Sequence, residues 1–151
     1  MSCVDASRQV LLVEDDEGLR LAFATMLRRQ GYDVLDFSGF RGAFEAAKSG
    51  AGFLLITDIQ LEPGTPHGLS LANMVHHRRP DLKIIVVTGY PDFIELVDQE
   101  WATVLLKPVA EDVLLGAVQV ASEGWTRAED KSSLQGWLST RQQATPETGQ
   151  R

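Results

Sequence analysis

Short, unbroken apolar runs govern what this chain can fold into. Val10-Leu-Leu-Val13, Phe53-Leu-Leu-Ile56, Lys83-Ile-Ile-Val-Val87 and Thr103-Val-Leu-Leu106 are brief, rich in branched side chains, and continuous rather than alternating. A strand with one wet face alternates polar and apolar residues, so a run without alternation reads as a strand covered on both faces. Asp33-Val-Leu-Asp-Phe37 does alternate and is expected at a sheet edge. Between the runs the spacing is helical. Leu19, Ala22, Phe23, Met26 and Leu27 make one apolar stripe within residues 17–30, and Gly31 follows as a stop. Phe40, Ala43, Phe44 and Ala47 repeat the pattern ahead of Ser49 and Gly50, residues 68–79 carry it up to Pro80, and Val113, Leu114, Ala117, Val118 and Ala121 carry it again near the end. Residues 91–99, with Phe93, Ile94 and Val97, hold a weaker version. Strand and helix in alternation imply a parallel α/β sheet with helices on both faces, joined by right-handed crossovers.

Composition removes several function classes. The 151 residues hold 21 Asp and Glu against 14 Lys and Arg, a net charge of −7. Affinity for nucleic acid comes largely from cations neutralising phosphates, and an anionic membrane surface attracts polybasic segments, so neither is an expected partner. The apolar runs fall far short of the ~20 residues that cross a bilayer. The first residues lack the apolar core of a signal peptide, which predicts a cytoplasmic protein. Cys3 stands alone and excludes both an intramolecular disulfide and a CxxC metal site. No glycine-rich phosphate loop of either common pattern occurs.

In open parallel sheets the functional crevice lies beyond the carboxyl ends of the strands. Glu14, Asp15, Asp16 and Glu17 follow the first apolar run, Asp58 the run at 53–56, Thr88 and Gly89 the run at 83–87, and Lys107 and Pro108 the last. Singly these are an acidic helix cap, a turn threonine and a surface lysine. Together they bring carboxylates, a hydroxyl and an ammonium to one edge. Crowded carboxylates cannot all stay ionised unless a cation lies among them. Oxygen donors without nearby Cys or His favour a hard ion, and Mg²⁺ commonly takes one or two carboxylates with waters. Asp58 has the chemistry of a phosphoryl-accepting nucleophile, Thr88 can donate a hydrogen bond, and Lys107 can neutralise phosphoryl oxygens.

The set Val13-Glu-Asp-Asp-Glu17, Thr57-Asp58-Ile-Gln60, Val87-Thr88-Gly89 and Leu106-Lys107-Pro108 resembles the receiver domain of two-component response regulators. The resemblance covers residues 8–122 and implies the flavodoxin-like doubly wound sheet, five strands in the order 2-1-3-4-5. It implies that Asp58 accepts a phosphoryl group from a histidine kinase or a histidine phosphotransfer protein. It further implies that Glu14, Asp15, Asp58 and the Gln60 backbone carbonyl hold Mg²⁺, with Asp16 competing with Glu14, that Thr88 is the switch hydroxyl, and that Lys107 binds phosphate. The Lys-Pro bond is often cis in that family. A downstream protein would then be bound on the face of the fourth helix, fifth strand and fifth helix.

The chain departs from the pattern in three places. From Asp58 to Gly68 it runs about two residues longer than is usual, an insertion that costs little in loop closure. From Thr88 to Lys107 it is about three residues shorter, which must trim the fourth helix or its flanking loop. Val104 stands where the family usually carries a switch aromatic, and Tyr90 and Trp101 read as packing residues, the other reading being that one of them stands in for that aromatic. Residues 123–151 change character, with Trp125 and Trp137 among mixed charges and a helical face of Leu134, Trp137, Leu138 and Arg141. This extension is expected either to pack on the receiver or to dock a partner, a second copy included; it is too short and insufficiently basic for a DNA-binding output domain. His76, His77, Arg78 and Arg79 read as a solvated, dipole-complementing helix end. The expectation is a stand-alone phosphorylatable receiver. The rivals are a pseudo-receiver that switches without phosphate, a receiver cut from a hybrid kinase, and a haloacid-dehalogenase-type phosphatase. The last is disfavoured because Gln60 stands where that chemistry places a second aspartate.

Overall fold

The computed structural model of the chain describes residues 8–60 and 67–123. Five parallel strands form one sheet: β1 (Gln9–Val13), β2 (Asp33–Phe37), β3 (Leu54–Asp58), β4 (Lys83–Thr88) and β5 (Ala102–Leu106), in the order β2-β1-β3-β4-β5. Helices α1 (Glu17–Arg29), α2 (Phe40–Lys48), α3 (His67–Arg78) and α4 (Glu111–Glu123) complete the doubly wound α/β fold expected from the sequence. None of these is long and apolar enough to cross a membrane.

The continuous apolar runs arise because successive residues enter two different cores. Val10, Leu12, Leu54, Ile56, Ile85 and Val87 pack beneath α1 and α4 with Phe23, Leu27, Leu114 and Val118. Leu11, Val13, Leu55, Ile84 and Val86 point the other way, into α2 and α3 with Ala43, Ala47, Leu71 and Val75. Each buried Leu or Ile contributes roughly 1.5–3 kcal/mol relative to an exposed position, so neither layer is dispensable. Edge strand β2 keeps the alternation seen in its sequence, with Asp33 and Asp36 exposed around buried Val34.

Local signals set the boundaries. The Asp16 side chain accepts from Leu19 N–H at 2.9 Å and caps α1. Gly31, at φ 89°, turns the chain back into β2, a conformation that disfavours any side chain. The Lys107–Pro108 bond is cis.

Two expectations need correction. The weak periodicity at residues 91–99 yields only a six-residue 3-10 helix, Pro91–Leu96, in the place of a fourth α-helix. Pro91 opens the segment, where it is compatible with either kind of helix, so it is the shortened connection between β4 and β5 that limits the segment to a short 3-10 turn. Second, Arg79 is no solvated cap. Its guanidinium donates to the carbonyls of Ala47 (3.2 Å), Ala51 (2.6 Å) and Gly52 (3.1 Å), and pairs with Asp81 at 3.1 Å. It therefore ties the end of α3 to the chain leaving α2. His76 is not free either, since its ring stacks on Trp101 with centroids 4.2 Å apart. The extra turn after Asp58 and nearly all of the extension at 123–151, with both of its tryptophans, lie outside the described residues.

Candidate functional site

Parallel strands all point their carboxyl ends the same way, so the residues that follow β1, β3, β4 and β5 converge. Glu14 and Asp58 are buried, at 2% and 7% exposure, whereas Asp15 is exposed. One carboxylate oxygen from each of the three lies within 4.8 Å of the others. Lys107 reaches across from the end of β5. Its ammonium donates to Asp58 Oδ2 at 2.6 Å and to Glu14 Oε2 at 3.1 Å. The second oxygen of Asp58 accepts the Gln60 N–H at 3.0 Å.

The backbone around this cluster is fixed from several directions. Glu14 N–H donates to Phe37 O, Ile59 N–H to Val87 O, and Lys107 N–H to Thr88 O at 2.7 Å. Arg20 donates to the Glu14 carbonyl at 2.8 Å and pairs with Asp36 at 3.4 Å, holding the acidic turn against β2. Sequence reading missed Arg20; the available signal was its place one turn into α1, within reach of the turn that precedes the helix. Gly68 opens the periodic segment at residues 68–79, and nothing in the sequence marks it as part of the site. Its N–H donates to Ile59 O at 2.9 Å, and a Cβ there would collide with the Asp58 carbonyl oxygen. Only glycine lets α3 approach the nucleophile's own backbone so closely.

Electrostatics follow from burial. The Glu14 carboxyl is pushed up to about 7, first by burial and then by the neighbouring Asp58 charge, with Lys107 opposing both. Burial by itself would lower the Lys107 ammonium, but its hydrogen bond to Asp58 and the charges of Asp58 and Glu14 outweigh that and raise it. Among the described residues the cluster is an anionic pocket with one protein cation, Lys107, bonded at its side. Its donors are all oxygen, and its charge exceeds what Lys107 offsets. That donor set fits a hard divalent ion such as Mg²⁺.

The other sequence-selected groups are placed as follows. Asp16 is occupied as the α1 cap and lies outside the three-carboxylate cluster. Thr88 is buried at the end of β4, where its hydroxyl oxygen accepts Tyr90 N–H at 3.0 Å. Val104 is buried in the α2–α3 core. Tyr90 does not pack inside as expected: it is 56% exposed, its ring 5.6 Å from that of Phe93.

The sequence matches the response regulator receiver domain over residues 10–119. The chain belongs to that family. Its relatives include the response regulator receiver protein CpdR of Brucella abortus, 34% identical over 83 residues that cover 55% of this chain and 68% of CpdR. The C4-dicarboxylate transport transcriptional regulatory protein DctD of Rhizobium meliloti is 27% identical over 150 residues, covering 97% of this chain and 32% of DctD. The chain thus spans about a third of the length of that regulator. Among solved structures, the response regulator TrrA of Thermotoga maritima, crystallised with Mg²⁺-BeF, aligns with a TM-score of 0.68 at 26% identity, over 76% of this chain and 98% of TrrA. A CheY-like receiver of Methanospirillum hungatei shares the fold, with a TM-score of 0.70 at 24% identity over 83% of this chain and 98% of that one.

Proposed function

We propose that this receiver is a phosphorylation-dependent switch in which Asp58 accepts a phosphoryl group from a phosphohistidine of a kinase or phosphotransfer protein, in the cytoplasm, and thereby changes its affinity for a downstream protein. The observation that carries this reading is the Lys107 ammonium bridging Asp58 and Glu14 beside Asp15. In the reaction an Asp58 carboxylate oxygen attacks phosphorus. A new O–P bond forms as the P–N bond breaks, and the imidazole leaves neutral because its other nitrogen already carries the proton. Chemistry of this kind demands mainly positioning and charge stabilisation. The Gln60 N–H and the Arg20-braced acidic turn hold Asp58 and Glu14 in place. Lys107 follows the negative charge from carboxylate to phosphoryl oxygens. Mg²⁺ held by Glu14, Asp15, Asp58 and the Gln60 carbonyl would offset charge developing on the transferred group.

Thr88 supplies the signal. A phosphoryl oxygen offers its hydroxyl a stronger, charged acceptor than anything it now meets, which draws it from the Tyr90 backbone. Val104 cannot relay this movement as a rotating aromatic would, being stiff at χ1 and short. The backbone of Tyr90 and the adjoining 3-10 helix then carries the change to the surface.

Incubation with acetyl phosphate and Mg²⁺, followed by peptide mapping, tests the reading. A single phosphoryl group on Asp58, absent from Asp58→Asn, is the expected result. Undiminished labelling of that variant overturns it. The short 3-10 helix and Val104 favour one alternative, a pseudo-receiver that changes partners without phosphate. An unlabelled but folded wild-type chain that still binds its partner would support that alternative.

A further inference from the structure

Away from the phosphoacceptor edge, α2 and α3 leave a surface groove with about 360 Å³ of space between Phe44, Asn73, Met74, His77 and Arg78. Its floor is apolar: Phe44 is half-buried, its ring stacked at 5.8 Å on Phe40, and Met74 is 43% exposed. Its rim is cationic. The Lys48 ammonium lies 5.4 Å from the Phe44 ring centroid, and the Arg78 guanidinium lies 5.8 Å from the same ring. Arg41 stands one helical turn before Phe44 on α2. Glu45, paired with Lys48 at 3.2 Å, is the sole carboxylate of α2. Among the described residues neither Arg41 nor Arg78 forms an ion pair.

Arg78 at the groove and Arg41 one turn before Phe44 thus lack an acidic partner among the described residues, while Lys48 shares Glu45. A carboxylate would satisfy these guanidiniums, and an apolar side chain would cover Phe44 and Met74. We propose that this groove docks an acidic, amphipathic segment of a partner protein, with an apolar anchor over Phe44 and Met74 and carboxylates on Lys48, Arg78 and Arg41. The net charge of −7 does not forbid it. Screening beyond about 8 Å at physiological salt makes the groove's own cations the field such a segment feels at contact. A lipid surface fits less well, since an extended anionic plane would also face the acidic remainder of the molecule. Methionine beside an aromatic suits a segment whose anchor varies in shape. The inference is independent of Asp58 phosphorylation.

The test is an amide-resonance titration of the full chain. The probe is a short helical peptide with leucine and phenylalanine on one face and glutamates on the other; its glutamine counterpart is the control. Shifts confined to residues around Phe44, Met74, His77 and Arg78, weakening with salt and absent with the glutamine peptide, are expected. Lys48→Glu with Arg78→Glu should lower affinity about tenfold or more, equivalent to about 1.4 kcal/mol, with an unchanged thermal transition. Arg78→Lys should retain most of the binding. No shifts at millimolar peptide, equal binding of the glutamine peptide, shifts confined to other faces, or a cation-dependent preference for anionic vesicles would each overturn the proposal, as would self-association that produces the same shifts without peptide.

Discussion

Glu14 and Asp58 share one lysine, and the burial that makes the site reactive also makes it costly to keep charged. The Glu14 carboxyl, raised from 4.5 to about 7, holds its proton in the folded state after the unfolded chain has released it. Between those values the native state binds more protons, so stability falls as pH rises and the full contribution is present only below about 4.5. Metal-free Glu14→Gln lacks this dependence. Its stability relative to the wild type is therefore expected to increase from pH 5 to pH 8 in denaturant titrations, and a constant difference would refute the raised carboxyl. Arg79 offers a second residue-scale prediction. Removing its side chain leaves the carbonyls of Ala47, Ala51 and Gly52 without their charged donor, so Arg79→Ala should cost about 2 kcal/mol. Asp81→Asn should cost only a few tenths, because that carboxylate is 71% exposed and its ion pair is screened. Equal losses would show that Arg79 acts through the ion pair alone. The two residues also mark a limit of sequence reading. Glu14-Asp15-Asp16-Glu17 presents four carboxylates, and only the place where α1 begins makes Asp16 the cap and groups Glu14 and Asp15 with Asp58. Arg79 reads as a helix-end cation until α2 is known to pass beside it.

At the scale of elements, the strands were legible because burial on two faces leaves an uninterrupted apolar run, a pattern little else produces. Helices α1 and α4 were legible from their stripes, since each covers one core along most of its length. The segment at Pro91–Leu96 was not. Phe93, Ile94 and Val97 share a spacing that either an α-helix or a 3-10 helix can satisfy over so few residues, and the outcome depends on the chain length available between β4 and β5. In the structure Val97 is buried and Phe93 and Ile94 are half-buried against the α2–α3 core, while Tyr90 and Leu96 are 56% and 57% exposed, so the segment is held on one side only. Elements with few buried contacts open at low free energy. With Thr88 bonded to the Tyr90 N–H, phosphorylation should alter hydrogen exchange chiefly in residues 88–101, leaving α1 and α2 unchanged. Unaltered exchange there, with labelling of Asp58 verified, would remove the Thr88–Tyr90 route. Val104→Tyr should change partner affinity more than phosphorylation rate, because position 104 lies in the core beneath this segment and is absent from the carboxylate cluster.

For the whole molecule, the sheet concentrates charge at one end. Net charge is −7, and the buried part of that excess, Glu14 and Asp58, lies beside exposed Asp15 at the carboxyl edge of the strands that form the centre of both cores. Folding brings these carboxylates within 4.8 Å of one another, whereas the unfolded chain keeps Asp58 far from the other two. Repulsion in the cluster therefore opposes folding, and an ion that binds only the assembled cluster must favour it. By mass action, Mg²⁺ at a hundred times its dissociation constant would add about 2.7 kcal/mol. For a domain of this size that corresponds to a rise of roughly 10 °C in the thermal midpoint. The rise should be specific to the assembled site. Sodium chloride at equal ionic strength should yield much less, because diffuse screening acts on exposed charges and reaches a buried pair weakly. Asp15→Ala and Asp58→Asn should each blunt the Mg²⁺ response, and Asp15→Ala should raise the midpoint of the metal-free protein by relieving the repulsion, whereas Asp58→Asn also loses the buried pair with Lys107. Calorimetric scans with chelator, with Mg²⁺ and with matched sodium chloride separate these effects. Equal rises with the two salts, or an undiminished Mg²⁺ response in Asp15→Ala, would show that the carboxylates are neutralised by something other than a bound divalent ion.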